Sequence, residues 1–497
     1  MLVMPSRAPL SGEKSALKGA QRLERQIRNE RQRAKREQAT ELAEAKATPQ
    51  LPPRGERGPE AGRSWWRLRV EPHRATSDVL AVAYPFLAEE GLGSSGVLIG
   101  VDYWSGTAFV FDPWVLYDRK VLTNPNILLA GQIGRGKSML AKSLACRQIA
   151  FGRRVYVCGD VNGEWSVVAD AVGGAVIRLA VGSNSRLNPL DEGPRPSGMS
   201  DIRRWSAQVT KRRRTLLGAL AEATLGRRLG PMERTALSTA LDEAAQATVP
   251  VLPGIVDALH EPSVGRPGAT VTQLRDEGRE VAHALDRLVH GDLAGLFDGP
   301  STVKFDPSLP MVSVDLSEIS DDGPLTGLLM TCCGAWMEAA LADPAGGKRL
   351  VIYDEGWHLM RQPALLARMQ TQWKLSRAWG LANMLVIHRL SDLEAVGDDR
   401  SQARGLAQGL LGDTATRILY HEPFEEAQKA GDVLGLSSVE VAQLPDLPQG
   451  HGLWRVNDRA FVVHHLVTPE EAALFDTNQR MAHDLRQFGG IPTGTGG

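Results

Sequence analysis

Short apolar runs alternate with stretches of helical periodicity through most of the chain. Three large apolar residues follow one another at residues 127–129 and predict a buried strand. The segment after Ser138 repeats its apolar residues at helical spacing and predicts a helix. Strands alternating with helices predict a doubly wound, mainly parallel α/β sheet. Further strands are predicted at residues 153–160, around Ile177, and at residues 311–316, 349–355, 381–388 and 416–421.

The remaining regions have other patterns. Helix-forming residues dominate 196–299 and predict an all-helical insertion. Aromatic and β-branched runs punctuated by Gly and Asp in residues 63–120 predict a small antiparallel sheet that leads into the core. Residues 1–62 are Arg-rich and almost free of large apolar residues, which favours a solvated or disordered basic arm or a docking arm for a partner or nucleic acid. The core would then comprise residues 121–195 and 300–470, followed by a tail at 471–497.

Composition excludes several classes of protein. Lys and Arg number 57 against 58 Asp and Glu, so no global positive field favours nucleic acid. The four cysteines form no C-x-x-C pair and lie in apolar stretches, which predicts reduced, buried thiols and a cytoplasmic location. No apolar run approaches the roughly 20 residues of a membrane span. We therefore expect any membrane association to come through partners.

A glycine-rich loop joins the strand at 127–129 to the helix after it. Residues 131–138, GQIGRGKS, fit G-x-x-x-x-G-K-[ST] without a mismatch. In this pattern backbone N–H groups surround a β-phosphate, Lys137 reaches the β- and γ-phosphates, and the Ser138 hydroxyl ligates Mg²⁺. The following helix directs its N-terminus at the anion. The motif predicts a nucleotide-binding protein whose phosphate-binding residues are Gly131, Gln132, Ile133, Gly134, Arg135, Gly136, Lys137 and Ser138.

Hydrolysis also requires carboxylates at the γ-phosphate. The apolar run RLVIY is followed by Asp354 and Glu355, at the carboxyl end of a predicted strand, where ligands bind in open α/β sheets. We predict that Asp354 holds Mg²⁺ and that Glu355 is the catalytic base. Asp315 and Asp160 also end predicted strands, and for these we expect capping or shaping of the cleft instead.

Three further polar residues each have two interpretations. His388 ends the next predicted strand and suits either a γ-phosphate sensor or a structural position. Arg417 lies at the start of the following predicted strand, and it suits either an arginine finger for a neighbouring subunit or a surface position. Glu164 suits both facing the nucleotide and capping the helix that begins near Trp165.

The order of these motifs resembles a known family. The segments NPNILLAGQIGRGKSMLAKSL, GRRVYVCGDVNGEW, SRLNPL, RLVIYDEGWHLM and LVIHRLSDL look like those of the HerA/FtsK-superfamily ATPases of conjugation and type IV secretion, and in particular the TraC-like assembly ATPases. The resemblance implies a RecA-like motor domain, ATP and Mg²⁺ as cofactors, Asp354 and Glu355 as Walker B acids, and hexamers with nucleotide at subunit interfaces. It also implies a cytoplasmic ATPase at the inner face of a membrane channel, powering substrate transfer or apparatus assembly.

Two departures from the family pattern keep other functions open. The resemblance does not extend to the long N-terminal domain of full-sized members, and His388 stands where Gln is usual. A nucleotide-gated scaffold with little turnover is therefore one alternative. A DNA-translocating motor or coupling ATPase of the TraG/FtsK kind is another, since the basic clusters 211–214 and 227–228 would suit a nucleic-acid path or a solvated helix face.

Overall fold

The computed structural model describes residues 91–475 except residues 194, 197, 292, 320–323, 342–345, 361 and 389–401, together with Asn29 and Gln32. The chain divides into two compact units, Met1–Pro85 and Phe86–Gly497, and every element named below belongs to the second. The predicted basic arm, apart from Asn29 and Gln32, lies outside the described residues, as do the first part of the β-rich lead-in and nearly all of the C-terminal tail.

A single 11-stranded sheet organises the second unit, in the order β2-β1-β11-β10-β9-β3-β8-β7-β4-β6-β5. Its strands are β1 (Val97–Asp102), β2 (Ala108–Phe111), β3 (Ile127–Ala130), β4 (Arg154–Asp160), β5 (Ala175–Arg178), β6 (Met311–Asp315), β7 (Arg349–Tyr353), β8 (Leu381–Ile387), β9 (Thr416–Leu419), β10 (His451–Val456) and β11 (Arg459–His465).

The sheet has a parallel part and an antiparallel part. Neighbouring strands run parallel from β9 through β3, β8, β7, β4 and β6 to β5. The strands β10, β11, β1 and β2 are joined to it antiparallel. The predicted doubly wound, mainly parallel α/β sheet is confirmed. Because β8 lies between β3 and β7, the segments that follow these three strands emerge side by side at one edge of the sheet.

Helices connect the strands and cover both faces of the sheet. They are α1 (Pro113–Asp118), α2 (Lys137–Ala150), α3 (Ser166–Ala171), α4 (Ile202–Leu225), α5 (Pro231–Ala244), α6 (Leu252–His260), α7 (Val271–Val289), α8 (Pro324–Leu341), α9 (Trp357–Met360), α10 (Pro363–Ser376), α11 (Gln402–Gly412), α12 (Phe424–Leu434), α13 (Ser438–Gln443) and α14 (Pro469–Phe475). In the part of the chain that the structure describes, none of them is long and apolar enough to cross a membrane.

Strand β3 shows how the apolar runs encode the layers. All of its residues are buried, as its unbroken apolar sequence predicts. Ile127 and Leu129 belong to a hydrophobic core shared with α2, whereas Leu128 and Ala130 belong to a second core that contains α8 and α10. Alternate side chains of a strand point to opposite faces, so a continuous apolar run is the sequence of a strand covered on both sides.

The helices α4 to α7 occupy residues 202–289, within the range of the predicted insertion. Asp201 caps α4 by accepting hydrogen bonds from the backbone N–H groups of Arg203 and Arg204, and α4 ends at Gly226 in the left-handed conformation. Most of the buried apolar side chains of the insertion belong to the same core as Leu128 of β3. The insertion is therefore packed on the sheet, and its boundaries at 196 and 299 stay predictions.

The described part of the β-rich lead-in does not form a sheet of its own. Strands β1 and β2 pair with each other as expected, but β1 also pairs with β11, with Gly100 opposite His465. The predicted small sheet is thus the end of the main sheet. Without β1, one edge of β11 would expose backbone N–H and C=O groups that have no hydrogen-bond partner. The lead-in provides the partners for these groups.

Candidate functional site

The glycine-rich loop lies between β3 and α2 in a conformation that needs its glycines. Gly131, Gly134 and Gly136 have φ values of 140°, 79° and 108°. A Cβ on Gly131 would lie 2.7 Å from the Cβ of Tyr420. Gly136 precedes α2 and has no side chain with which to cap it. The first N–H groups of a 14-residue helix are thus available to an anion, together with the positive end of its dipole.

Lys137 is folded back on the loop. Its Nζ donates hydrogen bonds to the carbonyl oxygens of Gly131 and Gln132, the latter at 3.0 Å. Burial lowers the pKa of Lys137 to about 8, against the opposing effect of nearby carboxylates that include Asp354 and Glu355. Two backbone carbonyl oxygens thus replace part of the lost hydration of the lysine, and Ser138 follows it in the first turn of α2.

The other loop residues are braced by the segment after β9. The backbone N–H of Gln132 donates to the carbonyl oxygen of His421 at 3.0 Å. The Arg135 guanidinium donates to Oε1 of Gln132 at 3.3 Å. Ile133 is exposed. The loop thus combines a braced backbone with one apolar side chain directed to solvent.

A second brace comes from the segment before β10. The backbone N–H of Gly450 donates to the carbonyl oxygen of Arg135 at 3.1 Å. Nε2 of Gln449 donates to the carbonyl oxygen of Gly134 at 3.2 Å. These residues lie more than 300 positions from the loop in sequence, so the closing part of the chain helps to shape the site.

Asp354 follows β7 and accepts a hydrogen bond at Oδ2 from Nε1 of Trp165 at 2.7 Å. Burial raises the pKa of Asp354, and the negative charges of Glu355 and Glu164 raise it further, although the Trp165 hydrogen bond opposes them. An excess of negative charge at this point suits a cation. Within the described residues no group of three or more His, Cys, Asp and Glu could hold a metal. Mg²⁺ is commonly bound by one or two carboxylates together with water and phosphate oxygens.

Glu355 is held by three donors. Its Oε1 lies 2.7 Å from Nε2 of His388 and 3.3 Å from Nδ2 of Asn162, and its Oε2 accepts from Nε1 of Trp357 at 2.7 Å. Burial acts to raise the pKa of Glu355, but His388 and Trp357 outweigh it and lower the pKa. The backbone of Glu355 is in the left-handed region, with φ of 52°. The carboxylate is thus ionised and fixed in direction.

The structure therefore brings most of the predicted site residues together. Lys137 at the end of the loop, Asp354 and Glu355 after β7, and His388 after β8 lie at one edge of the sheet. The electrostatic effect of both acids on Lys137 reflects this proximity. The catalytic and metal-binding roles of these residues remain predictions.

Arg417 lies elsewhere. It is paired in register with Leu128, one residue after the start of β9, and its Nη1 donates to the carbonyl oxygen of Leu434 at 2.6 Å. Burial lowers the pKa of Arg417, and the positive charge of Arg455 adds to the effect. The structure does not bring Arg417 to the loop of its own chain, and a role in a neighbouring subunit stays a prediction.

The rival acids, Asp160 and Asp315, are buried and hydrogen-bonded to the segment after β4. Asp160 accepts hydrogen bonds from the backbone N–H groups of Glu164 and Trp165 at 3.0 and 2.7 Å, and burial raises its pKa to about 7. Asp315 accepts from Oγ of Ser166 at 2.9 Å. Glu164 forms an ion pair with the buried Lys142 of α2 at 2.7 Å. Asp160 and Asp315 thus order the segment that carries Trp165, and Glu164 ties it to α2.

Sequence reasoning missed the residues that hold the two acids. Trp165, Asn162 and Trp357 donate to Asp354 or Glu355. They lie in the segments that carry the family resemblance, but no role for them was predicted from the sequence. The only signal in the sequence is a tryptophan directly after Glu164 and another two residues after Glu355. A buried indole needs a partner for its N–H, and a neighbouring carboxylate provides one.

The basic cluster at 211–214 is largely used within the fold. Arg212 donates to the carbonyl oxygens of Asp191 and Glu192 at 2.9 and 2.8 Å, and Arg213 donates to that of Leu190 at 2.6 Å. These contacts tie α4 to the segment that leads into the insertion. Lys211 is exposed. Two of the four basic side chains of this cluster are therefore used to hold α4 in place, so their presence does not require a nucleic-acid ligand.

No protein-family model and no curated protein match the sequence. Among solved structures, VirB4 of Thermoanaerobacter pseudethanolicus matches with a TM-score of 0.63 and 19% identity, over 77% of this chain and 99% of that one. The plasmid coupling protein TrwB in complex with the non-hydrolysable ATP analogue ADPNP matches with a TM-score of 0.49 and 15% identity, over 76% and 90% of the two chains. The likeness to VirB4 shows a shared fold, and the predicted RecA-like P-loop NTPase fold is confirmed.

Proposed function

We propose that this chain is a Mg²⁺-dependent ATPase that couples hydrolysis to substrate transfer or apparatus assembly in a conjugative, type IV secretion-like system. The observation that carries the proposal is the convergence of Lys137, Asp354 and Glu355 at the ends of β3 and β7. Nucleotide hydrolysis needs a phosphate cradle, a cation ligand and a base within one cleft. The order of the motifs and the fold shared with VirB4 support a conjugative, type IV secretion-like system as the apparatus that this ATPase serves.

Each residue has a chemical role in this proposal. The loop N–H groups and Lys137 bind the β- and γ-phosphates, and Ser138 and Asp354 hold Mg²⁺ directly or through water. When bound, Mg²⁺ neutralises charge on the phosphate oxygens. Glu355 orients the attacking water and accepts its proton, because its ionised carboxylate has the lone pairs to do so. His388 keeps that carboxylate in position and senses the γ-phosphate from the neighbouring strand.

We further propose a homo-oligomer, a hexamer as the family resemblance implies, which works in the cytoplasm on channel proteins at the inner face of a membrane. In this arrangement Arg417 would act on the nucleotide of the neighbouring subunit. Its hydrogen bond to Leu434 would then have to be exchanged for the phosphate when subunits assemble.

The test is steady-state phosphate release by the purified full chain with Mg²⁺ and ATP, with and without single- and double-stranded DNA. Glu355→Gln should lower kcat by about 100-fold or more while ATP still binds. Glu425→Gln, at an exposed position in the first turn of α12, is the matched control and should leave kcat unchanged.

Three outcomes would contradict the proposal in different ways. Failure to bind ATP would remove its basis. Turnover raised many-fold by DNA would indicate the DNA motor instead. Nucleotide-dependent assembly without phosphate release would indicate the scaffold.

A further inference from the structure

A groove of about 500 Å³ opens at the end of the sheet near the start of β10. Its walls include Tyr103 and Trp104 after β1, Gln443 of α13, Asp446, and His451 of β10, and we name it the aromatic groove. The volume lies within the roughly 300–1,000 Å³ typical of small-molecule sites. None of the motifs that indicate the phosphate site includes these residues.

A short backbone segment links the aromatic groove to the phosphate loop, since Pro448 and His451 line the groove and the two residues between them contact the loop. Gln449 and Gly450, directly before His451, donate the hydrogen bonds that brace Gly134 and Arg135. A Cβ on Gly136 would lie 3.7 Å from the Cα of Gly450. A short segment of backbone thus forms the end of the groove on one side and supports the loop on the other.

The aromatic rings form a connected set. The rings of His451 and His464 are stacked with centroids 4.4 Å apart, and the ring of Tyr103 meets that of His451 edge-on at 5.6 Å. Tyr103 is 55% exposed and Trp104 is 65% exposed. Large aromatic faces left open beside a groove are suited to stacking on a planar ring.

The sheet order gives the direction in which a nucleotide would lie. The acids that act at the γ-phosphate follow β7, and His388 follows β8, both on one side of β3. Strands β9, β10 and β11 lie on the other side of β3. A nucleotide with its γ-phosphate at Glu355 therefore directs its sugar and base towards β9 and β10. The aromatic groove lies on that side, because Pro448 and His451, which flank the residues that contact the loop, are among its lining residues.

We propose that the aromatic groove is the subsite for the adenine base of the nucleotide whose phosphates occupy the loop. The base stacks on the exposed ring of Tyr103 and meets the ring of His451 edge-on, since the planes of these two rings lie 79° apart. Its exocyclic amino group donates to the Asp446 carboxylate or the Gln443 amide oxygen. The residues that define the groove include one carboxylate, Asp446, and no Lys or Arg, so a planar ring that carries an amino donor suits it better than an anionic group does. The proposal rests on the proposed function.

The test compares two ligands that share the phosphates and differ in the base. Dissociation constants of ATP and of inorganic tripolyphosphate, each with Mg²⁺, are measured by calorimetry on the full chain. Tyr103→Ala should weaken ATP about 10-fold and leave tripolyphosphate unchanged. Tyr103→Phe keeps the ring and should behave as wild type. Phe151→Ala removes another exposed aromatic side chain, directly after α2, and should change neither affinity.

The outcomes separate the two proposals. If the unchanged protein binds neither ligand, the proposed function fails and the base subsite fails with it. If it binds both, and Tyr103→Ala and His451→Ala leave the ratio of the two affinities unchanged, only the base subsite is overturned. Equal weakening of both ligands would also overturn the subsite, because it would place the effect in the loop.

Discussion

Nε2 of His388 and Oε1 of Glu355 lie 2.7 Å apart, which joins the strand beside the phosphate loop to the acid at the end of the next strand. Sheet order creates this relationship, since β8 separates β3 from β7. The direction and ionisation of the proposed base thus depend on a side chain from its neighbouring strand. This contact and three other features of the site lead to measurable consequences.

Replacing His388 should shift the acidic limb of the pH dependence of kcat. Glu355 acts as a base only when ionised, so activity is lost as the pH falls through its pKa. The hydrogen-bond donors to Glu355 lower its pKa, whereas burial acts to raise it. When one donor is removed, the effect of burial remains. His388→Ala should therefore move the limb of kcat to higher pH, and at a fixed acidic pH the ionised fraction should fall about tenfold for each pH unit that the limb moves. His388→Gln keeps an N–H donor and should largely retain the wild-type limb. An unchanged limb in His388→Ala would show that the contact does not control Glu355.

The two indole donors should have separable effects. Trp165→Phe removes the hydrogen bond to Asp354 and should raise the Mg²⁺ concentration needed for half-maximal rate several-fold, as loss of a partner to a metal ligand does. Trp357→Phe removes the hydrogen bond to Glu355 and should change kcat with little effect on Mg²⁺. Mg²⁺ titrations of the two variants are the measurement, and identical titration curves would contradict the assigned roles.

ATP affinity should weaken as the pH rises through about 8. Lys137 is protonated below its pKa of about 8 and loses its charge above it, whereas an ordinary lysine stays charged to about 10.5. Phosphate binding favours the charged form, so affinity should fall by up to tenfold per pH unit above 8. Lys137→Arg keeps its charge throughout this range and should bind with a flat profile, whatever its absolute affinity. Calorimetry from pH 7 to 9.5 is the test, and a flat wild-type profile would refute it.

The ion pair between Lys142 and Glu164 should contribute to stability. Lys142 is 1% exposed, so Glu164→Gln would leave a buried ammonium without its charge partner. We expect the free energy of unfolding to fall by about 3 kcal/mol. The double variant Lys142→Met with Glu164→Leu removes both charges and should recover most of the loss. Denaturant unfolding of the wild type and the two variants measures these free energies, and a double variant as unstable as Glu164→Gln would exclude the buried charge as the cause.

Particular residues show how far the sequence could predict the site. The loop from Gly131 to Ser138 and the acids after β7 were predictable, because each follows a strand that its own apolar run specifies. Trp165 was not, because nothing in the sequence near it indicates that its indole reaches a carboxylate 189 positions away. Arg417 was open to two interpretations, and its hydrogen bond to Leu434 depends on where α12 ends.

The sequence by itself determined the local chemistry of this protein. Glycines at positions that need positive φ, a lysine and serine at the start of a helix, and acids after a buried run are decided within a few residues of one another. Only the tertiary structure decided that β1 joins β11, that β8 brings His388 to Glu355, and that residues before β10 brace the phosphate loop. These contacts join segments remote along the chain, and they form because open strand edges and buried polar groups must find partners wherever the packed sheet provides them.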